Sequence, residues 1–432
     1  VKDKVSVGLL GLGVVGSGVI QLINDHREKL THQLGCEVEV SKVLVRNLDK
    51  ARNIHINDDL LTTDPSDVLD HSSIDIIVEV MGGIDQAKEY ILRAFKNKKH
   101  VVSANKDLVA LHGPELQAEA TKNRCDFYYE ASVAGGIPIL RGITEGLSTD
   151  HIQRVMGIVN GTTNYILTKM DEDGMSYEDA LSEAQRLGFA ETDPTSDVEG
   201  LDAARKMAIL GRLAFSTPVE LSDVEVNGIR GIELEDLRYG KQLGYTMKLI
   251  GFANFNDQEL EVNVQPTLLS KNHPLSSVKN EYNAVYVYGE AVGETMFYGP
   301  GAGSLPTATA ILSDVSAAIK GLRLGVSGNQ SNEMQFSKTL TPVNKRHSQY
   351  YVRLYVKDET GVLSKISSLF HEQDISFQRI VQTPVNEYES AEIVVVTHDT
   401  SLSNFQHTLE KLRSFEAVIE VKSYYKVEGE VM

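Results

Sequence analysis

The chain has little of what several protein classes need. Only two cysteines, Cys36 and Cys125, occur in 432 residues, so a disulfide framework is excluded and a reducing cytoplasm is the natural compartment. Basic residues number 42 against 60 acidic ones, a formal net charge of −18. Nucleic acid and anionic membranes want clustered Lys and Arg, and neither is expected as a partner. The 12 histidines never fall in HxxH or HExxH spacing, which argues against a transition-metal site. No stretch approaches the ~18 uninterrupted apolar residues of a membrane helix. The run from Val5 to Ile23 behind Lys2 and Lys4 superficially resembles a secretory signal, yet Gly8, Gly11, Gly13, Gly16 and Gly18 interrupt it and no A-x-A-like site follows. What is left is an ordinary globular composition, 41% hydrophobic and 24% charged, on a chain long enough for about three domains.

Those glycines belong to another pattern. Residues 5–10 read as a buried strand, Gly11-Leu12-Gly13-Val14-Val15-Gly16 follows at once, and a helix is expected to about Lys29. G-x-G-x-x-G between strand and helix permits a tight turn and the close approach of a pyrophosphate, while the helix N-terminus offers donors and a positive dipole end. A second strand over 37–45 ends in Arg46. An arginine there suits the 2′-phosphate of NADP, where a carboxylate would suit NAD; a solvated loop would also accept it. Further strands are expected over 74–80, 100–104 and 127–130, with a helix over 86–98. Lys106 stands just past the carboxyl end of the 100–104 strand, where ligands gather in open α/β sheets, although a surface turn also suits a lysine.

The stretch GFAETDPTSDVEGLDAARKMAILGR, residues 188–212, carries the most chemistry. Glu191, Asp193, Asp197, Glu199 and Asp202 crowd its first half, and its second half reads as a helix opening near Leu201. On a 3.6-residue period Ala203, Met207, Leu210 and Ala214 form one stripe, while Arg205 and Arg212 form a second that is expected to face water. Lys206 falls on neither, in line with Asp202, Ile209 and Leu213. Asp202 and Lys206 at i,i+4 also suit a plain solvated pair. A lysine lining a cleft beside carboxylates instead suits a zwitterionic substrate. The acids hold an α-amino group, and the ammonium meets an oxygen that gains negative charge during reaction.

Beyond Ala131 the rhythm changes. Residues 134–138 and 160–164 read as turns, the latter ahead of a helix from Tyr165, and 259–268, 283–289 and 295–298 alternate like strands of a half-exposed sheet. Gly299 to Gly303 lead into a helix rich in Ala and Ser, with Ser304 as its cap and Pro306 in its first turn; the glycines could cradle phosphate or merely turn the chain. Residues 326–349 are polar and read as a linker. Residues 350–427 then read βαββαβ, a ferredoxin-like small domain without reactive residues, hence regulatory or dimerising. The expected division is 1–133 for dinucleotide binding, 134–325 for substrate and dimerisation with the 304–325 helix packing back on the first domain, the linker, and 350–427.

Taken whole, the chain resembles homoserine dehydrogenase of the bacterial single-function type with a C-terminal ACT domain. The likeness is carried by GFAETDPTSDVEGLDAARK, VEVMGG, SANK, GIVNGTTNY and GPGAGSLPTA. It implies a Rossmann domain, an α+β substrate domain and an ACT domain, and the interconversion of L-homoserine and L-aspartate 4-semialdehyde with NADP or NAD, in threonine and methionine biosynthesis. By the same likeness Lys206 is the general acid/base and Lys106 a second lysine near cofactor and substrate. Glu191, Asp197 and Asp202 surround the substrate, and residues 11–16 with Arg46, Lys106 and Gly303 meet the cofactor. A sodium or potassium ion is implied at Glu130 with the carbonyls of Val133, Gly135 and Ile137. A homodimer or higher homo-oligomer is implied, and threonine as effector at the 358–363 turn. Two other readings stay open: a dehydrogenase of another small amino-acid aldehyde, and a non-catalytic NADP- and amino-acid-sensing protein, which leaves Lys206 and its acids without a purpose.

Overall fold

The computed structural model describes residues 2–52, 54–328, 334–385 and 390–429. They form two compact units interleaved along the chain: Val1–Ile152 with Arg205–Asp223 and Asn283–Ser337, and Gln153–Ala204 with Val224–Tyr282 and Lys338–Met432.

The first unit is built on six strands in the spatial order Leu61–Thr62, Glu37–Leu44, Lys4–Leu10, Ile76–Glu79, His100–Ser103 and Phe127–Tyr128. Every pairing is parallel. Parallel strands are covered on both faces, which is why they read as nearly unbroken apolar runs. The order reverses between Lys4–Leu10 and Ile76–Glu79, the switch point where such sheets bind ligands. The helix expected to Lys29 is two helices, Val14–Asp25 and Arg27–Leu34, because His26 leaves helical geometry at φ −111 and ψ 20. The helix Ser304–Leu324 buries Ala308, Ala310, Ile311 and Val315 in the same core as Val7, Leu9 and Val19. Gly18 makes that packing feasible, since an added Cβ would stand 2.6 Å from Ser304 Oγ. Ser304 is not the cap: Gly303, at φ 120, precedes the helix, and the Ser304 hydroxyl donates to Val14 O at 2.8 Å.

The second unit holds a sheet in the order Ile152–Ile158, Tyr245–Asn256, Glu259–Ser270, Val418–Glu428, His347–Lys357, Ser390–Thr397, Phe377–Pro384. Glu259–Ser270 and Val418–Glu428 pair parallel at residues 267–269 and 426–428. The last four strands and the helices Val362–His371 and Leu402–Ser414 give the expected βαββαβ order. Val352, Leu354 and Val356 alternate toward those helices and pack with Ile366, Phe370, Phe405 and Leu409. Arg353, between them, points the other way, toward the helix Leu234–Gln242. It is 1% exposed and donates to Asp236 Oδ1 at 2.7 Å, Glu392 Oε1 at 2.9 Å and Glu233 Oε2 at 2.5 Å. Asp236, fully buried, also accepts from Ser423 Oγ and Tyr425 Oη. Within the polar 326–349 stretch, Leu340 bridges Leu260; residues 329–333 of that stretch lie outside the described residues. Among the described residues, no helix is long and apolar enough to cross a membrane.

Candidate active site

Each glycine of the first turn does a separate job. A Cβ on Gly11, whose φ is 105, would meet Val80 O at 2.9 Å, so the turn lies flat on the neighbouring strand. A Cβ on Gly16 would sit 2.4 Å from Gly11 O, where helix and turn touch. Gly13 faces open space, with nothing within 4 Å, so its backbone can be approached closely. Gly13 precedes the helix Val14–Asp25, and the Ser304–Val14 hydrogen bond brings the start of the Ser304–Leu324 helix beside it. Leu12, Val14 and Val15 thus lie where two helix N-termini converge, with Gly303 opening the second, an arrangement that favours an anion. Gly11 N donates to Leu44 O at 3.0 Å, tying the turn to the end of the second strand, and exposed Arg46 stands two residues beyond.

At the end of the Ile76–Glu79 strand, fully buried Glu79 accepts from Met81 N, Gly82 N and Ser103 Oγ. Burial pushes its carboxyl above the usual range. Asn105 caps the helix Lys106–Lys122 through Leu108 N and donates to Gly83 O. Lys106 is therefore the first residue of a long helix rather than part of a surface turn.

The helix Leu201–Phe215 is buried nearly all round, and Lys206 is 8% exposed. Its arginine stripe does not face open water: Arg212 is buried and Arg205 half-buried. Arg212 is 6% exposed and spends its guanidinium on the carbonyls of Val109, Ala110 and Val219, at 2.9–3.2 Å. Arg205 Nε lies 2.6 Å from Asp107 Oδ1. Asp107 follows Lys106 and Arg205 precedes Lys206, so an ion pair between their immediate neighbours clamps the two lysine-bearing helices together. The expected stripe failed because a polar pattern does not distinguish water from backbone carbonyls, and five fixed donors can be satisfied by either.

Of the acids, Asp202 is 2% exposed and Asp197 half-buried, and both accept from Asn160 Nδ2, at 2.8 and 2.7 Å. Asn160 caps the helix Gly161–Asp173, so the NGTTN segment is that helix's first turn and not a loop before Tyr165. Glu191 is exposed, and its backbone carbonyl takes a bond from Gln185 Nε2. Reading by segment passed over Asn160 as a site residue, since its partners lie 37 and 42 positions away. The polar turn ahead of a helix was the available signal.

The loop from Glu130 to Ile137 is almost wholly buried. Both Glu130 carboxylate oxygens are committed, each 2.8 Å from a backbone amide, of Leu140 and Arg141. Burial raises its carboxyl and also Asp314, which reaches about 7 despite Arg141. Ala134 and Gly135 take positive φ, 54 and 52, and a Cβ on Gly135 would lie 2.4 Å from Gly301 O. Among the described residues, no backbone amide donates to the carbonyls of Val133 or Gly135. The third carbonyl expected at a cation, that of Ile137, accepts from Ile139 N at 2.8 Å, and the Glu130 carboxylate is already engaged. No group of three or more His, Cys, Asp or Glu side chains able to hold a metal occurs among the described residues.

A glycine turn at the switch point of a doubly wound sheet, with buried lysine and acids near one end of a single helix, defines an NAD(P)-dependent oxidoreductase. Residues 11–130 match the homoserine dehydrogenase NAD-binding domain, 138–316 homoserine dehydrogenase, and 350–417 the ACT domain. The chain is 58% identical to homoserine dehydrogenase of Bacillus subtilis over 426 residues, 98% of each chain. A crystal structure of a homoserine dehydrogenase from Thiobacillus denitrificans superposes with a TM-score of 0.92 at 38% identity, covering 99% of each chain. A hyperthermophilic archaeal homoserine dehydrogenase in complex with NADPH aligns at a TM-score of 0.61 and 26% identity, over 73% of this chain and 97% of that one. The chain belongs to the homoserine dehydrogenase family. Its reaction is that family's, the NAD(P)-dependent interconversion of homoserine and aspartate 4-semialdehyde, as the sequence motifs implied.

Proposed function

We propose that Lys206 is the general acid/base of this reaction, with Lys106 beside it assisting cofactor and substrate. The observation that carries the reading is the Asp107–Arg205 ion pair, which seats the two lysines on adjoining helices. When bound, the nicotinamide donates or accepts the hydride. In the reducing direction the Lys206 ammonium gives its proton to the aldehyde oxygen, which becomes the hydroxyl of homoserine. In the reverse direction the neutral amine takes that proton back. Lys106 supplies a second positive charge where negative charge develops. Glu191, Asp197 and Asp202 hold the substrate's ammonium and hydroxyl. Residues 11–16 and Gly303 would hold the pyrophosphate of a bound cofactor, and Arg46 would hold a 2′-phosphate, which would make NADP the preferred cofactor and NAD the poorer one. A sodium or potassium ion, when bound, would be held by the carbonyls of Val133, Gly135 and Ile137 beside Glu130 and would order the loop.

The ACT domain takes threonine at the Asp358–Leu363 turn, the protein works in the cytoplasm, and it assembles as a homodimer or higher homo-oligomer. The deciding experiment is Lys206→Ala assayed with aspartate semialdehyde and either NADPH or NADH, together with NADPH binding. Turnover is expected to fall by roughly three orders of magnitude or more with cofactor binding retained. Unchanged turnover removes Lys206 from the mechanism, and faster parent kinetics with NADH removes the NADP preference. Titration calorimetry with millimolar threonine tests the effector: no heat from the full-length protein removes it.

A further inference from the structure

We infer that Asn160 is a positioning residue for the reaction: its side-chain amide brackets Asp197 and Asp202 and sets where both carboxylates stand. This rests on the assignment of those two acids to the substrate. Asn160 is 5% exposed. Its Nδ2 lies 2.7 Å from Asp197 Oδ1 and 2.8 Å from Asp202 Oδ2, and its Oδ1 accepts from Thr163 N and Thr163 Oγ1, both at 2.9 Å. Both donors and both lone pairs of the amide are used. Chemistry fixes its orientation, because a flipped amide would set its oxygen against two carboxylate oxygens that only accept.

Asp197 lies in the short helix Thr195–Val198 and Asp202 in the first turn of Leu201–Phe215. Their carboxylates converge on one nitrogen and repel each other there. A lysine at position 160 would cancel part of that charge. A neutral amide bonds both acids and leaves the negative charge in place to attract an ammonium. The bracket itself stands on a buried base. Thr162 Oγ1 donates to Phe189 O at 2.6 Å, and Lys248 Nζ, 2% exposed at the residue level, donates to Asn164 Oδ1 at 2.9 Å. Carboxylates that must meet a small substrate need such a support, since a displacement of about 1 Å is enough to cost much of the rate.

The test exploits the other role of Asn160 as a helix cap. Asn and Asp cap helices about equally well, and Ala does so poorly. If capping is all that Asn160 does, Asn160→Asp behaves like the parent and Asn160→Ala is the worse variant. With the bracket the order reverses: Asn160→Asp raises the homoserine KM roughly 100-fold and Asn160→Ala roughly 10-fold. The NADP KM moves by less than about twofold in either, because only substrate contacts change. Asn160→Ser also caps but cannot reach both acids, so it reads the same loss without an added charge if Asn160→Asp does not fold; NADPH binding certifies folding. Asp202→Asn is measured alongside. An unchanged homoserine KM in Asp202→Asn overturns the substrate assignment itself. A raised KM there with a parent-like Asn160→Asp overturns the bracket alone.

Discussion

Two clusters of buried carboxylates, one in each unit, are held in opposite ways. In the first, Glu79 and Glu130 are met by backbone amides and a hydroxyl, and Asp314 by the Glu130 amide and an arginine that is 24% exposed. In the second, Asp236 is met by a guanidinium that is itself 1% exposed, with Glu233 and Glu392 on its other nitrogens. Neutral donors leave a carboxylate free to take a proton when the medium allows. A buried ion cluster instead fixes geometry, because removing any member strands the others. The set of Glu79, Glu130 and Asp314 is therefore the one that responds to pH by taking up protons, and the Arg353 cluster is pinned where the ACT sheet meets the helix Leu234–Gln242.

The largest effect expected from breaking this contrast is at Arg353. Arg353→Leu strands Asp236 without its cation and should destabilise the second unit by about 3–5 kcal/mol, read by urea unfolding. A loss near zero would mean that the cluster is not pinned at all. Next comes the titration of Asp314, whose pKa is raised to about 7 from 3.8. A raised acid favours the native state on protonation, so its cost is complete above pH 7 and shrinks as pH falls through that value toward 3.8. Stability should rise by about 2 kcal/mol from pH 8 to pH 5.5 on this account, and Asp314→Asn should remove that part of the slope. A parent-like slope in the variant would show that burial there is relieved some other way. Smallest is the Asp107–Arg205 clamp. The pair is partly exposed, so Arg205→Gln should cost less than about 1 kcal/mol of stability. It should nevertheless lower kcat about tenfold by loosening the seat of Lys206; equal parent and variant kcat would sharpen the contrast by confining position control to the second unit.

What could be read from sequence was what is local. The three glycines of residues 11–16 announce their roles because turn, approach and packing all fall within six residues. The ACT domain is legible because short apolar strands and helical spacing follow one another in the order βαββαβ within 350–427. The strand Tyr245–Asn256 has no such rhythm, being buried along most of its length with Lys248 inside it. Burial pushes that lysine down to about 8, and its neutral acceptors are supplied by Asn164 and Val278, far away in sequence. Arg212 misleads for the same reason: its partners are the carbonyls of Val109 and Ala110 in another helix and of Val219 in the chain that follows its own, and carbonyls have no letter in the sequence. Lys206, expected to line a cleft, is 8% exposed, while the arginine stripe expected to face water consists of a buried Arg212 and a half-buried Arg205.

The strand Val418–Glu428 is threaded between Glu259–Ser270 and His347–Lys357, and this bears on how the protein is made and cut. During synthesis residues 267–269 of Glu259–Ser270, unlike 263–264, which pair with Glu225–Val226, wait for more than a hundred further residues before their neighbour emerges, exposed meanwhile to pairing with other chains. A shortened chain ending before Gln349 would leave residues 267–269 without that neighbour permanently. Such a fragment should aggregate rather than report on an enzyme without its ACT domain, so that domain is better probed by point substitution than by amputation.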